Sequence, residues 1–160
     1  MWVASTHFGP PVDVLEAFKS LPRWLQNILD KYDGQLGELR DLIGSWKEEG
    51  VEGIVAGDFN AIVHGKQYKM LKRELGNVGM KILWDGFEKE DCPTTVNPLE
   101  DRALTGGGRT PMVLDFIFAS SGLEGDASIG DVVVKGKNWE CISDHNPIIG
   151  NVRVKRKEGG

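Results

Sequence analysis

Ile54-Val55-Ala56-Gly57-Asp58-Phe59-Asn60-Ala61-Ile62 decides how this chain is read. Ile54 to Ala56 is a short apolar run of strand character that ends at a glycine. Asp58 and Asn60 follow, one aromatic residue apart. On extended backbone, residues i and i+2 point the same way, so both reach one side of the strand's end. Asp58 supplies a hard anionic oxygen, suited to a divalent cation or to activating a water. Asn60 supplies an amide that donates to a phosphate oxygen and accepts from a water. The plain alternative is a strand running into an Asx-type turn, which Gly, Asp and Asn favour wherever they cluster.

Two further stretches place chemistry at strand ends. Val113-Leu114-Asp115-Phe116-Ile117-Phe118 is an apolar run interrupted by one carboxylate. Charges are rarely buried without a partner, so Asp115 needs one. A turn cap or Arg109 would satisfy it in the plainest reading. Ser143-Asp144-His145-Asn146-Pro147 sets an acid and an imidazole together just ahead of a second apolar run, Ile148-Ile149-Gly150-Asn151-Val152.

Taken in order, Gly57-Asp58-Phe59-Asn60, Leu114-Asp115-Phe116-Ile117 and Ser143-Asp144-His145 resemble the motifs of the endonuclease/exonuclease/phosphatase superfamily. That superfamily includes deoxyribonuclease I-like nucleases, abasic-site endonucleases, inositol polyphosphate phosphatases and sphingomyelinases. Ser5-Thr6-His7-Phe8 is similar to the Asn-Thr-His-Leu strand end of its deoxyribonuclease-like branch. The resemblance implies an α/β fold: a two-layer β-sandwich flanked by helices, deoxyribonuclease I-like, here incomplete at its N-terminus. It also implies hydrolysis of phosphate esters by in-line attack of water, with Mg²⁺ or Mn²⁺ as cofactor.

The same motifs imply residue roles. Asp58 would orient or deprotonate the water and help to hold the metal. Asn60 would hydrogen-bond the scissile phosphate or that water. His145 would act as base or as phosphate donor. Asp115 would pair with His145, fixing its tautomer and raising its pKa. Asp144 would be a metal ligand, and His7 would donate to the leaving oxygen. His7 also reads as an ordinary strand-end histidine. His64 has no counterpart in the motifs and reads as a loop residue.

Composition bounds the partners. The chain has 160 residues, which suggests one domain, with 40% apolar and 27% charged residues as in ordinary globular proteins. Net charge of −5 argues against a broad basic face for nucleic acid. It does not exclude a nuclease, because a bound cation offsets carboxylates locally. No apolar run approaches the ~20 residues of a membrane span, and no signal peptide is visible. Cys92 and Cys141 are too few for a disulfide scaffold and lack metal-site spacing; two free thiols are expected.

Along the chain, Trp2 to Phe8 reads as a strand closed by Gly9-Pro10-Pro11. Asp13 with Glu16 has capping-box spacing ahead of Val14, Leu15 and Phe18. Pro22 suits the first turn of a further helix. Leu21, Trp24, Leu25, Ile28, Leu29 and Tyr32 form one amphipathic stripe, and Leu36, Leu39, Leu42, Ile43 and Trp46 form that of a next helix, ending at Glu48-Glu49-Gly50. These stripes read as core. A short helix is expected from Gln67 to Leu75, and a strand or turn at Lys81 to Asp85. Asp91-Cys92-Pro93-Thr94-Thr95 looks like the family's Pro-Thr turn before a strand. Gly106 to Thr110 reads as a loop and lacks a P-loop ending. Met112–Ala119, Ala127–Lys135 and Ile148–Lys155 read as strands. Residues 1–155 are thus expected to form the C-terminal portion of a superfamily domain, and residues 156–160 a disordered, solvated tail.

The sequence departs from the superfamily pattern in one respect. The first strand and the following strand with its metal-binding Glu would lie upstream of His7, and neither is here. Glu16 and Glu52 stand in the wrong context to replace that Glu. Three explanations stay open: a truncated product, a chain completed by an N-terminal segment or partner, or drift to a non-catalytic binding or structural module. Self-association through uncovered strands is a further expectation. The substrate reading favours a phosphodiesterase acting on nucleic acid, with a lipid or inositol phosphatase as the alternative. The chain alone is expected to turn over slowly or not at all.

Overall fold

The structure, a computed structural model, describes residues 1–8, 23–83, 94, 113–130 and 145–155. The expected helix around Asp13 to Phe18, the Gly106–Thr110 loop, Arg109, Cys92, Cys141, Asp144 and the tail from Arg156 lie outside the described residues.

Strand β1 spans Trp2–His7 and helix α1 spans Arg23–Glu48. Strand β2 (Gly53–Asp58) then runs parallel to β1, so the chain between them is a crossover that carries the helix. Helix α2 (Lys66–Asn77) and the short strand β3 (Met80–Ile82) follow. Strand β4 (Asp115–Ser120) inserts antiparallel between β2 and β3, giving a four-stranded sheet of order β1-β2-β4-β3. After a tight turn at Ser121-Gly122, β5 (Leu123–Ile129) leaves that sheet and pairs antiparallel with β6 (Ile148–Val154) in a second sheet. The molecule is therefore an α/β, two-sheet sandwich with helices on its outer face.

Side-chain alternation on β4 shows how the layers meet. Phe116 and Phe118 point to the helices: Tyr68 of α2 lies 5.1 Å from Phe116, and Phe59 lies 5.4 Å from Phe118, ring centre to ring centre. Ile117, on the other face, reaches the second sheet, where a Cβ on Gly150 would stand 3.0 Å from its Cδ1. Both faces of β4 are thus covered, which is why its sequence is almost continuously apolar. Asp115 shares the face of Ile117, at the strand's first position.

Two sequence expectations are corrected. The stripes through Tyr32 and from Leu36 onward belong to one helix, α1, not two. Tyr32, Leu36, Leu39, Ile43 and Trp46 keep one unbroken helical phase, and Gly34 and Gly37 are tolerated inside it because propensity is a weak prior against packing. Tyr32, Leu36 and Ile43 are buried, whereas Leu42 is exposed. The strand expected at Ala127–Lys135 begins four residues earlier, at Leu123. Its first half, Leu123-Glu124-Gly125-Asp126, resembles a loop in composition, yet only Leu123 and Ala127 need to be buried.

At the end of β2 remote from Asp58, Glu52 accepts from Ser120 Oγ and from the backbone N–H of Gly122. It is committed to closing the β4–β5 turn, a strand length of roughly 20 Å from the last residue of β2. This agrees with its exclusion as a replacement metal ligand.

Candidate active site

The register of the main sheet assembles the site. His7 is paired with Asp58 across β1 and β2, and Asp58 with Asp115 across β2 and β4. Residues paired this way project from the same face, so three side chains form one row at the strand ends. His145 approaches that row from the residues that lead into β6. Its Nδ1 stands 2.7 Å from Asp115 Oδ2. Its Nε2 stands 3.9 Å from Asp58 Oδ2, and His7 Nε2 stands 3.7 Å from the same oxygen. Asp58 Oδ2 is therefore flanked by two imidazoles. His145 is half-buried, and His7 is 80% exposed.

An ionised carboxylate only accepts hydrogen bonds. With Asp115 ionised, Nδ1 of His145 donates to it, and Nε2 is the ring nitrogen that faces Asp58. The 3.9 Å gap is too long for a direct hydrogen bond and suits a bridging water.

Asn60 is held by its neighbours more tightly than the sequence suggested. Its backbone N–H donates to Asp58 Oδ1 at 2.7 Å, closing an Asx turn, and its φ of +47° is left-handed, a region asparagine tolerates. Its amide nitrogen donates to the carbonyl of Phe8 at 2.8 Å and to Asp58 Oδ2 at 3.2 Å. The turn reading and the site reading hold together here: the turn fixes the Asp58 carboxylate. Phe59, between them, is fully buried against Phe8 and Phe118 and anchors the turn in the core.

Burial, above all, pushes the Asp58 carboxyl pKa upward, and the neighbouring Asp115 charge adds to it. The Asn60 N–H and the two histidines pull the other way without cancelling it. The carboxylate is accordingly a stronger base than an exposed aspartate.

In the sequence, Thr94 reads only as part of a turn. The structure puts it beneath the site, fully buried. Its Oγ1 accepts from the backbone N–H groups of Leu114 at 2.9 Å and Asp115 at 3.1 Å. Its carbonyl accepts from the N–H of Asn146, next to His145, at 2.7 Å. The Pro93-Thr94 dipeptide was the available signal, but nothing local reveals partners twenty residues away. His64 is exposed on the loop after Asn60, with a left-handed φ of +68° and its ring 6.5 Å from that of Tyr68.

Asp58, Asp115 and His145 each offer a ligand atom, all within 4.8 Å of one another. Two carboxylates with an imidazole fit a divalent cation of the kind that takes its remaining positions from phosphate and water. The fit is lean, because Asp115 Oδ2 is engaged by His145 and both Asp58 oxygens already accept from Asn60.

An α/β sandwich of this layout has the deoxyribonuclease I-like fold. Solved structures bear this out. A beta toxin from Staphylococcus aureus superposes with TM-score 0.60 at 18% identity, covering 93% of this chain and 51% of the toxin. A 3'-5' exonuclease from Neisseria meningitidis gives 0.58 at 14% identity, covering 93% and 60%. The D. rerio TDP2 complexed with a single-strand DNA product gives 0.50 at 20% identity, covering 78% and 51%. The chain thus spans about half to three-fifths of the length of these structures. No protein-family model and no curated protein matches the sequence.

Proposed function

We propose that this chain carries the proton-transfer side of a divalent-metal-dependent phosphoesterase, acting on phosphodiesters. The observation that carries the reading is the Asp115–His145–Asp58 arrangement, with Nδ1 on one carboxylate and Nε2 turned toward the other. A water lying between His145 Nε2 and Asp58 Oδ2 passes a proton to Asp58, whose burial favours accepting it. The resulting hydroxide attacks phosphorus, the ester P–O bond breaks, and the leaving oxygen takes a proton from His7. His145, when charged, keeps Nδ1–H on Asp115 and donates from Nε2 to a phosphoryl oxygen. Asn60 holds the Asp58 carboxylate in place and is left its own carbonyl oxygen for the water. Mg²⁺ or Mn²⁺, held by Asp58 with Asp144, would stabilise charge on the phosphoryl oxygens.

Nucleic acid is the favoured substrate class. The likeness to an exonuclease and to a protein crystallised with a DNA product supports it, as does the exposure of His7, the residue assigned here to the leaving group. Among the described residues no helix is long and apolar enough to cross a membrane. The test is single-turnover hydrolysis of a short single-stranded oligonucleotide and of bis(p-nitrophenyl) phosphate, with Mg²⁺ or Mn²⁺ and an excess of chain. Slow, metal-dependent cleavage that disappears in Asp58→Asn and in His145→Ala is expected. Cleavage surviving both substitutions, or none by the parent chain even when an N-terminal segment with the missing strands is added, would overturn the proposal and favour a binding module.

A further inference from the structure

We infer that Thr94 is the positioning residue that sets the Asp115–His145 couple; the catalytic part of this inference rests on the function proposed above. The couple joins two segments that are not paired with each other among the described residues: the first residue of β4 and the residues before β6. A 2.7 Å contact between such segments needs their backbones fixed relative to each other. Thr94 does this with its two ends. Its hydroxyl oxygen takes the successive N–H groups of Leu114 and Asp115, and its carbonyl takes the N–H of Asn146. Leu114 in turn accepts from the N–H of Phe59 at 3.0 Å, which carries the same register to the Asp58–Asn60 turn. One buried residue therefore links all three catalytic segments.

The chemistry needs a hydroxyl at this position. Two adjacent amides converge on one oxygen, so the acceptor must be short, carry two lone pairs and fit a site with no solvent access. Threonine and serine meet this requirement. Valine has the shape of threonine but no acceptor, and it would leave both N–H groups buried without it. The amides would then turn toward other partners, and the Asp115 carboxylate would move with its backbone. Displacements of about 1 Å at a reacting centre lower rates about a hundredfold.

The experiment compares Thr94→Val and Thr94→Ser in the full 160-residue chain. One readout is kcat and KM for bis(p-nitrophenyl) phosphate with Mg²⁺. The other is the proton NMR resonance of His145 Nδ1–H, identified by its absence in His145→Ala. Thr94→Val should lower kcat about 10- to 100-fold with KM nearly unchanged, and should shift or broaden the Nδ1–H resonance. Thr94→Ser should restore both. An unshifted resonance in Thr94→Val overturns the inference whatever the rate, and so does a shifted resonance with unchanged kcat. If the parent chain shows no hydrolysis even with the N-terminal segment added, the resonance alone decides: a shift in Thr94→Val, restored in Thr94→Ser, upholds the positioning role while the hydrolase reading falls. Should Thr94→Val fail to fold, Thr94→Ala, which leaves room for a water, carries the same test. Failure of both, with Thr94→Ser folded, overturns the inference, because the hydroxyl would then hold the fold rather than the couple.

Discussion

His145 Nδ1 and Asp115 Oδ2 meet at 2.7 Å although 30 positions separate them in sequence. The contact joins the start of β4, an interior strand of one sheet, to the residues that lead into β6 of the other, so it is formed only when both layers are assembled. It also fixes which ring nitrogen faces Asp58. Removing the carboxylate leaves a folded histidine free to choose its tautomer and orientation. Asp115→Asn should therefore lower kcat on a phosphodiester by about 10²- to 10⁴-fold, the usual worth of a positioned acid–base group. Steady-state kinetics should show most of the loss in kcat, and a loss confined to KM would count against the pairing role.

Asp58 gives a prediction in pH. Its carboxyl is raised above the ordinary aspartate range, chiefly by burial. A group of this kind binds its proton more tightly when folded. Its contribution to stability is therefore largest at low pH and is lost as pH rises through the folded-state pKa. With EDTA present, the stability of Asp58→Asn relative to the parent chain should increase between about pH 4 and neutrality. Urea melts at the two pH values measure this, and a gap that stays constant or shrinks would contradict it. Added Mg²⁺ should reverse the trend by binding only the parent's carboxylate.

Much of this site was legible because it rests on local chemistry. Gly57-Asp58-Phe59-Asn60 announces a strand end with two oxygen-bearing side chains, and Asp115 in an apolar run asks for a partner. What the sequence does not state is the β2–β4 register, which pairs Asp58 with Asp115 and so brings both to one face. Thr94 was not legible in this way. Its importance lies in two amides and a carbonyl whose partners come from distant segments, and no pattern within its own stretch encodes them. The start of β5 at Leu123 was hidden for a different reason. A strand on the solvent side of a two-stranded sheet tolerates Glu124, Gly125 and Asp126, so its composition mimics a loop. The continuity of α1 was obscured by Gly34 and Gly37, whose low propensity is outweighed by the buried stripe of Tyr32, Leu36 and Ile43.

The metal requirement should be loose. The described donors are already partly engaged, and hard cations held by few free carboxylates bind weakly. Activity should keep rising with Mg²⁺ beyond about 1 mM and vanish in EDTA. Isothermal titration of the chain with Mg²⁺, alone and with Asp58→Asn, checks the binding separately from the rate. Saturation at micromolar Mg²⁺ would show a ligand set richer than the one described.

Gly57 makes the site sensitive to its backbone as well as to its side chains. It immediately precedes Asp58, with a φ of +146°, and a Cβ there would stand 2.0 Å from the carbonyl oxygen of Thr6 on the neighbouring strand. Alanine can relieve that clash only by separating β1 from β2 at the position where His7 faces Asp58. The backbone conformation alone costs about 1–3 kcal/mol for a residue with a Cβ. Gly57→Ala should therefore destabilise the chain by at least that amount and lower activity further than the unfolded fraction explains, because Asp58 moves with the strand. Gly34→Ala provides the contrast. Nothing lies within 4 Å of its added methyl, it sits inside α1, and it should stabilise by about 0.5–1 kcal/mol. Denaturant melts and rates measured on both variants separate the two effects. Equal, small shifts for both would mean that the close approach of Thr6 to Gly57 does not constrain Asp58.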